Sequence, residues 1–183
     1  MTEQEHGATL IRLARGAIAE CFGLTVPPVP TDEDWLAVPG ATFVTLTEDG
    51  NLRGCIGSLA AQRPLVDDVR ANAAAAAFHD PRFEPLRPEE LDRTAIEISL
   101  LSPTQTMQFA DERDALAQLR PGIDGIVLEY QHHRGTFLPQ VWEQLPIPEA
   151  FMTQLKRKAG LPGNFWAPEV KLARYTVQKW KEN

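Results

Sequence analysis

The sequence predicts an α+β fold, with a mainly antiparallel sheet flanked by helices. Strand-like segments come in hairpin pairs: 41–47 and 52–59 flank the turn Asp49-Gly50-Asn51, and 125–130 and 135–138 flank 131–134. Helical segments do not alternate one-for-one with strands, as a doubly wound parallel sheet requires. The chain is 43% hydrophobic and 23% charged, ordinary values that exclude disorder for its bulk.

Each element has a local cause. Thr2-x-x-Glu5 is a capping-box pattern, and Leu10, Ala14, Ala17, Ile18 and Cys21 follow at helical spacing until Gly23 ends the helix. Cys21 is expected on the apolar face as a small core residue. Four prolines between 27 and 39 make a loop, with a short helical turn at 32–36. After the first hairpin, Pro64 opens a helix with Asp67 and Asp68 near its positive end. Its run of alanines at 73–77 gives a smooth face for close packing on a sheet, and Asp80-Pro81 stops it. A strand at 95–101, a short helix at 111–119 closed by Pro121-Gly122, the second hairpin and a helix at 148–159 ending at Gly160 follow. The alternation over 170–180 predicts one last strand.

At 183 residues the chain is expected to form one domain, either undivided or split into two lobes of undefined boundary, long enough for a core without disulfide or metal staples. The net charge of −7 argues against general nucleic-acid binding. Charge is uneven: residues 1–149 hold 11 basic and 23 acidic side chains, net −12, whereas 150–183 hold 7 and 2, net +5. The plain reading is self-complementarity; a basic surface for an anionic partner is the alternative, and nucleic acid would further require aromatics such as Tyr175 or Trp166 to be exposed. No membrane span or secretory signal is seen, and two cysteines make no disulfide framework, so a cytoplasmic location is expected.

The strand Leu52-Arg53-Gly54-Cys55-Ile56-Gly57-Ser58-Leu59 holds the sharpest chemical signal. Two glycines inside a strand mark a place where something must come close. Strict alternation puts Arg53, Cys55 and Gly57 on one face, with guanidinium and thiol about 7 Å apart at the backbone. A cation there favours the thiolate; the bland alternative is an inert core cysteine. In His79-Asp80-Pro81-Arg82-Phe83, a histidine at a helix C-terminus suits the dipole, yet His79, Asp80 and Arg82 would also reach a site holding Cys55, with His79 as its acid–base partner. Glu97 lies opposite the apolar face of its strand, either exposed or paired with Arg53 or Arg82. His132-His133 falls in a hairpin turn and reads as solvent-facing. No metal site and no cofactor are expected: the histidines lack zinc-like spacing, and the CxxxCxxC triad of a radical enzyme is missing.

Leu52-Arg53-Gly54-Cys55-Ile56-Gly57 resembles the signature of the AMMECR-type domain family, whose bacterial and archaeal members are called the A protein of the AmmeMemoRadiSam system. The similarity runs through Leu13-Ala14-Arg15, Phe43-Val44-Thr45-Leu46, Phe78-His79-Asp80-Pro81-Arg82-Phe83, Glu97-Ile98-Ser99, Asp124-Gly125-Ile126, Leu138-Pro139-Gln140-Val141-Trp142 and Lys158-Ala159-Gly160-Leu161. It implies two unequal lobes, with the signature strand lining a cleft between them. It also implies the company of a Memo-like protein and a radical-SAM protein, but supplies no reaction.

Two functional classes follow. One is a site for a small anionic ligand or substrate, with Cys55 and His79 as catalytic groups and Arg53, Gly54, Gly57, Asp80, Arg82 and Glu97 as binding groups. The other is a non-catalytic adaptor for the two partners, in which Cys55 is merely packed. The first expects Cys55 to alkylate faster than Cys21.

Overall fold

The computed structural model describes residues 2–182. In chain order it contains α1 (Glu3–Cys21), α2 (Asp34–Ala37), β1 (Pro39–Glu48), β2 (Asn51–Gly57), β3 (Arg63–Pro64), α3 (Leu65–Phe78) and β4 (Thr94–Leu101). Then come β5 (Gln105–Thr106), α4 (Glu112–Gln118), β6 (Gly125–Tyr130), β7 (His133–Phe137), α5 (Pro148–Lys158), β8 (Lys171–Tyr175) and β9 (Val177–Lys181). The chain divides into two units, one reaching to Leu101 and resuming at Gln178, the other Ser102–Val177.

The first unit starts from the expected capping box: Thr2 Oγ1 accepts the Glu5 N–H, and the Glu5 carboxylate accepts the Thr2 N–H. Its sheet runs β2-β1-β4-β9, with β3 on the end of β1. The β1–β2 hairpin is antiparallel, and both Asp49 (φ 51°) and Gly50 (φ 79°) take the left-handed conformation that a tight two-residue turn demands. Val44, Leu46, Ile96 and Ile98 point inward, where Leu10, Leu13, Ala14 and Ile18 of α1 and Val69, Ala73 and Ala76 of α3 cover them. Each large aliphatic buried here contributes roughly 1.5–3 kcal/mol, so these two helices hold the sheet. The C-terminus is fastened by Arg15, which donates to both carboxylate oxygens of Glu182 and to the carbonyls of Leu91 and Thr94.

In the second unit the sheet runs β5-β8-β6-β7, and the β5–β8, β6–β7 and β6–β8 pairs are all antiparallel. Its core gathers Ile126, Leu128, Leu172, Phe151, Leu155 and Trp142, whose indole stacks on Phe151 at 3.8 Å between centroids. Asp124 is fully buried and is held by the Arg120 guanidinium and main-chain N–H.

Three local expectations change. The stretch 170–180 is two strands in different sheets, because the main chain of Thr176 pairs with Ser102 instead: its carbonyl accepts the Ser102 N–H and its N–H donates to Ser102 Oγ, each at 2.9 Å. Cys21 is exposed, because it ends α1 where Phe22 has taken over the contact to α3 by packing edge-on against Phe78. His133 is not a free turn residue: its Nδ1 lies 3.0 Å from the Ala159 carbonyl and ties the second hairpin to the end of α5. Among the described residues no helix is long and apolar enough to cross a membrane.

Candidate functional site

A β-bulge decides which way Cys55 points. At the turn Glu48 pairs with Asn51 and Thr47 with Leu52, but the next pair is Leu46 with Gly54, so Arg53 is an inserted residue. An unbroken ladder would set Cys55 opposite Val44, on the core face. The insertion shifts the register by one and pairs Cys55 with Thr45, on the face that α1 and α3 leave uncovered.

Glycines on either side make this placement possible. Gly54 faces inward, and a Cβ there would collide with the Ala76 carbonyl oxygen, so the signature strand touches the backbone of α3. Gly57 faces outward, and the ring of Phe43, its cross-strand partner, lies over it; a Cβ would run into that ring.

The thiol itself is half-buried. Thr45 Oγ1 lies 3.3 Å from Cys55 Sγ, with either group able to donate. On the next strand Glu97 pairs with Thr45, and beyond it the Lys179 ammonium lies 3.9 Å from the Glu97 carboxylate. Thus a thiol, a hydroxyl, a carboxylate and an ammonium form one row across four strands.

The main chain of Cys55 is held separately. Since β2 is an edge strand, the outward N–H and C=O of Cys55 have no neighbouring strand among the described residues. Asp80 Oδ2 accepts the N–H at 2.9 Å, and Arg82 donates to the carbonyl at 3.3 Å. Asp80 and Arg82 are joined by two parallel hydrogen bonds of 2.9 and 2.7 Å. The guanidinium of Arg82, together with the Cys55 and Arg82 N–H groups, holds the buried Asp80 carboxyl well below the usual carboxylate range. An ion pair thus serves as a surrogate strand at this edge.

Alternation puts Arg53 beside the thiol; the bulge sends it elsewhere. Its guanidinium binds both Glu90 carboxylate oxygens, at 3.0 and 3.2 Å, and the carbonyls of Glu84 and Pro85. Arg53 in turn pulls the Glu90 carboxyl below its ordinary range. His79 caps α3 through its main chain, and its ring hydrogen-bonds to no group among the described residues. Of the residues that the sequence singles out, Cys55, Gly57 and Glu97 therefore share one face, and Asp80 and Arg82 grip Cys55 from the edge. Gly54 contacts α3, and among the described residues neither Arg53 nor His79 hydrogen-bonds to the thiol. Thr45, Lys179 and Glu90 carry no such signal in the sequence. Thr45 reads as an ordinary strand former, and only the bulged register sets it against Cys55.

The basic C-terminal segment is largely engaged within the chain. Lys156 pairs with Glu112, Arg174 approaches Asp124, Lys179 pairs with Glu97, and Lys158 donates to the Thr136 carbonyl. Tyr175 is 3% exposed and its hydroxyl donates to the Phe137 carbonyl, which removes it as a stacking platform.

The AMMECR1 family model matches residues 11–180. This chain belongs to the AMMECR1 family. Similar archaeal proteins include one from Methanothermobacter thermautotrophicus, 37% identical over 98% of this chain and 96% of the relative. Protein MJ0810 of Methanocaldococcus jannaschii is 32% identical over 97% and 90% of the two lengths. Among solved structures, the uncharacterized protein PH0010 of Pyrococcus horikoshii superposes with a TM-score of 0.81 at 32% identity, covering 99% of this chain and 93% of that one. From Arg53 to Gly57, the geometry gives every residue except Ile56 a distinct role. Arg53 forms the bulge, Gly54 admits α3, Cys55 presents its thiol, and Gly57 seats Phe43.

Proposed function

We propose that this AMMECR1-family chain binds a small anionic ligand or substrate on the outer face of its first sheet, against Cys55. The observation that carries this reading is the polar row Cys55, Thr45, Glu97 and Lys179 on the face uncovered by α1 and α3. Glu97 and Lys179 alone make an ordinary cross-strand ion pair; a half-buried thiol set in line with them through Thr45 is what supports a site. The cation for the ligand's anionic group is Lys179, which is 47% exposed and only loosely paired with Glu97. Arg53 is saturated and does not serve. Thr45 either accepts the thiol proton or donates to sulfur, and Phe43 supplies an apolar wall. Chemistry at the thiol would draw on Thr45 and Glu97 for proton exchange, not on His79.

The family resemblance supports a setting shared with a Memo-like protein and a radical-SAM protein, with this chain as ligand carrier or adaptor for them. Co-purification at low ionic strength examines that association.

The ligand reading is tested by the alkylation rate of Cys55 in the presence of inorganic phosphate or succinate. Saturable protection that is lost in Lys179→Met supports it. Absence of protection by either anion, or equal protection in the variant, overturns it. Protection by a co-purified partner alone favours the adaptor role.

A further inference from the structure

The second unit carries a groove between α4 and α5, lined by none of the residues of the Cys55 row. Two adjoining depressions of about 800 and 560 Å³ share Glu112, Leu116 and Glu149 as walls. One stripe of α5 lines it at i, i+4, i+7 and i+8: Glu149, Thr153, Lys156 and Arg157.

Along α5 the charges are arranged by end, while Asp111, Glu112 and Arg113 line the α4 side. Lys156 at the floor has a side chain only 3% exposed; its ammonium pairs with Glu112 and lies 5.5 Å from the centre of the Trp166 ring. A buried ammonium has three N–H donors, and the Glu112 carboxylate occupies one of them. Glu149 and Arg157 are exposed and form no ion pair among the described residues. Glu149 thus offers an uncommitted anion at one end, and Arg157 with Lys156 offers cationic donors at the other. Eight residues of helix separate Glu149 from Arg157 by about 12 Å along the axis. An extended peptide spans roughly 3.3–3.6 Å per residue, so three to four residues bridge that distance.

We propose that this groove binds a short peptide of three or four residues with both ends free. Its ammonium pairs with Glu149, its carboxylate with Arg157 and Lys156, and an apolar side chain lies against Leu116 and Trp166.

The test uses the tripeptide Ala-Leu-Ala, its N-acetylated form and its C-amidated form, read by NMR at the Trp166 indole N–H. The Trp142 indole, buried and bonded to the Asp124 carbonyl, is the internal reference. Ala-Leu-Ala should shift Trp166 and not Trp142. Blocking either end should weaken binding about fivefold, the scale of one partly exposed ion pair. The exposed substitutions Glu149→Gln and Arg157→Gln leave the core untouched: the first should erase only the penalty of N-acetylation, and the second should reduce only that of amidation, because Lys156 still faces the carboxylate. No shift at Trp166, equal binding of the blocked peptides, or penalties undiminished in the matching variants would overturn the assignment.

Discussion

Asp80 accepts the main-chain N–H of Cys55 at 2.9 Å while its other contacts go to Arg82. The strand edge at the signature cysteine is therefore closed by one charge pair. A carboxylate with a depressed pKa stabilises the fold fully above the unfolded value, about pH 3.9, and that contribution is lost as pH falls towards the folded value. Glu90, lowered by Arg53, acts in the same direction. The urea midpoint of the parent should therefore fall steeply below about pH 4. Asp80→Asn should be less stable at neutral pH by about 1.5–3 kcal/mol, the scale of hydrogen bonds to a charged group, and should show a shallower acid decline. Parallel pH profiles for the two proteins would contradict this role.

The two signature glycines should differ in what they tolerate. At Gly54 an added methyl meets a helix carbonyl that cannot rotate away, whereas at Gly57 it meets the Phe43 side chain. Gly54→Ala is expected to cost about 3 kcal/mol and Gly57→Ala about 1 kcal/mol, the upper and lower ends of overpacking. Chemical denaturation of both variants gives the order directly, and a reversed order would refute the close approach of β2 to α3.

Arg53 should prove structural. Its guanidinium is committed to Glu90 and two carbonyls, so Arg53→Met should lower stability and leave the labelling rate of Cys55 in the folded protein unchanged. A marked slowing at neutral pH in a folded Arg53→Met protein would restore the direct cation–thiol coupling that strand alternation implies.

Turn and cap chemistry is legible in the sequence because it is local. Thr2 with Glu5, Asp49-Gly50 and the left-handed Gly160 after α5 are each fixed by a few neighbouring residues. The antiparallel hairpins follow from the same signals, and the strand around Cys55 stands out by its two glycines. What is not legible depends on distant partners. Nothing within 52–57 marks Arg53 as the bulge; Glu90, thirty-seven positions on, and the carbonyls of Glu84 and Pro85 receive its side chain. The alternation of 170–180 continues unbroken in sequence, while Ser102 divides it in space. Cys21 follows the apolar period of α1 yet is exposed, since the helix ends there. The partner of the thiol is hidden for the same reason, because pairing Thr45 with Cys55 requires the bulge.

The proposed site depends on the bulge turning Cys55 out of the core. It is tested most directly by site-resolved alkylation of Cys55 in a Cys21→Ala background, since the exposed Cys21 would otherwise dominate the signal. The rate is followed against urea concentration well below the unfolding midpoint. Labelling is expected in the native state, at a rate independent of urea in that range and altered by Glu97→Gln. Labelling that proceeds only at the rate of global unfolding, rising with urea in step with it, would show the thiol to be a packed structural group.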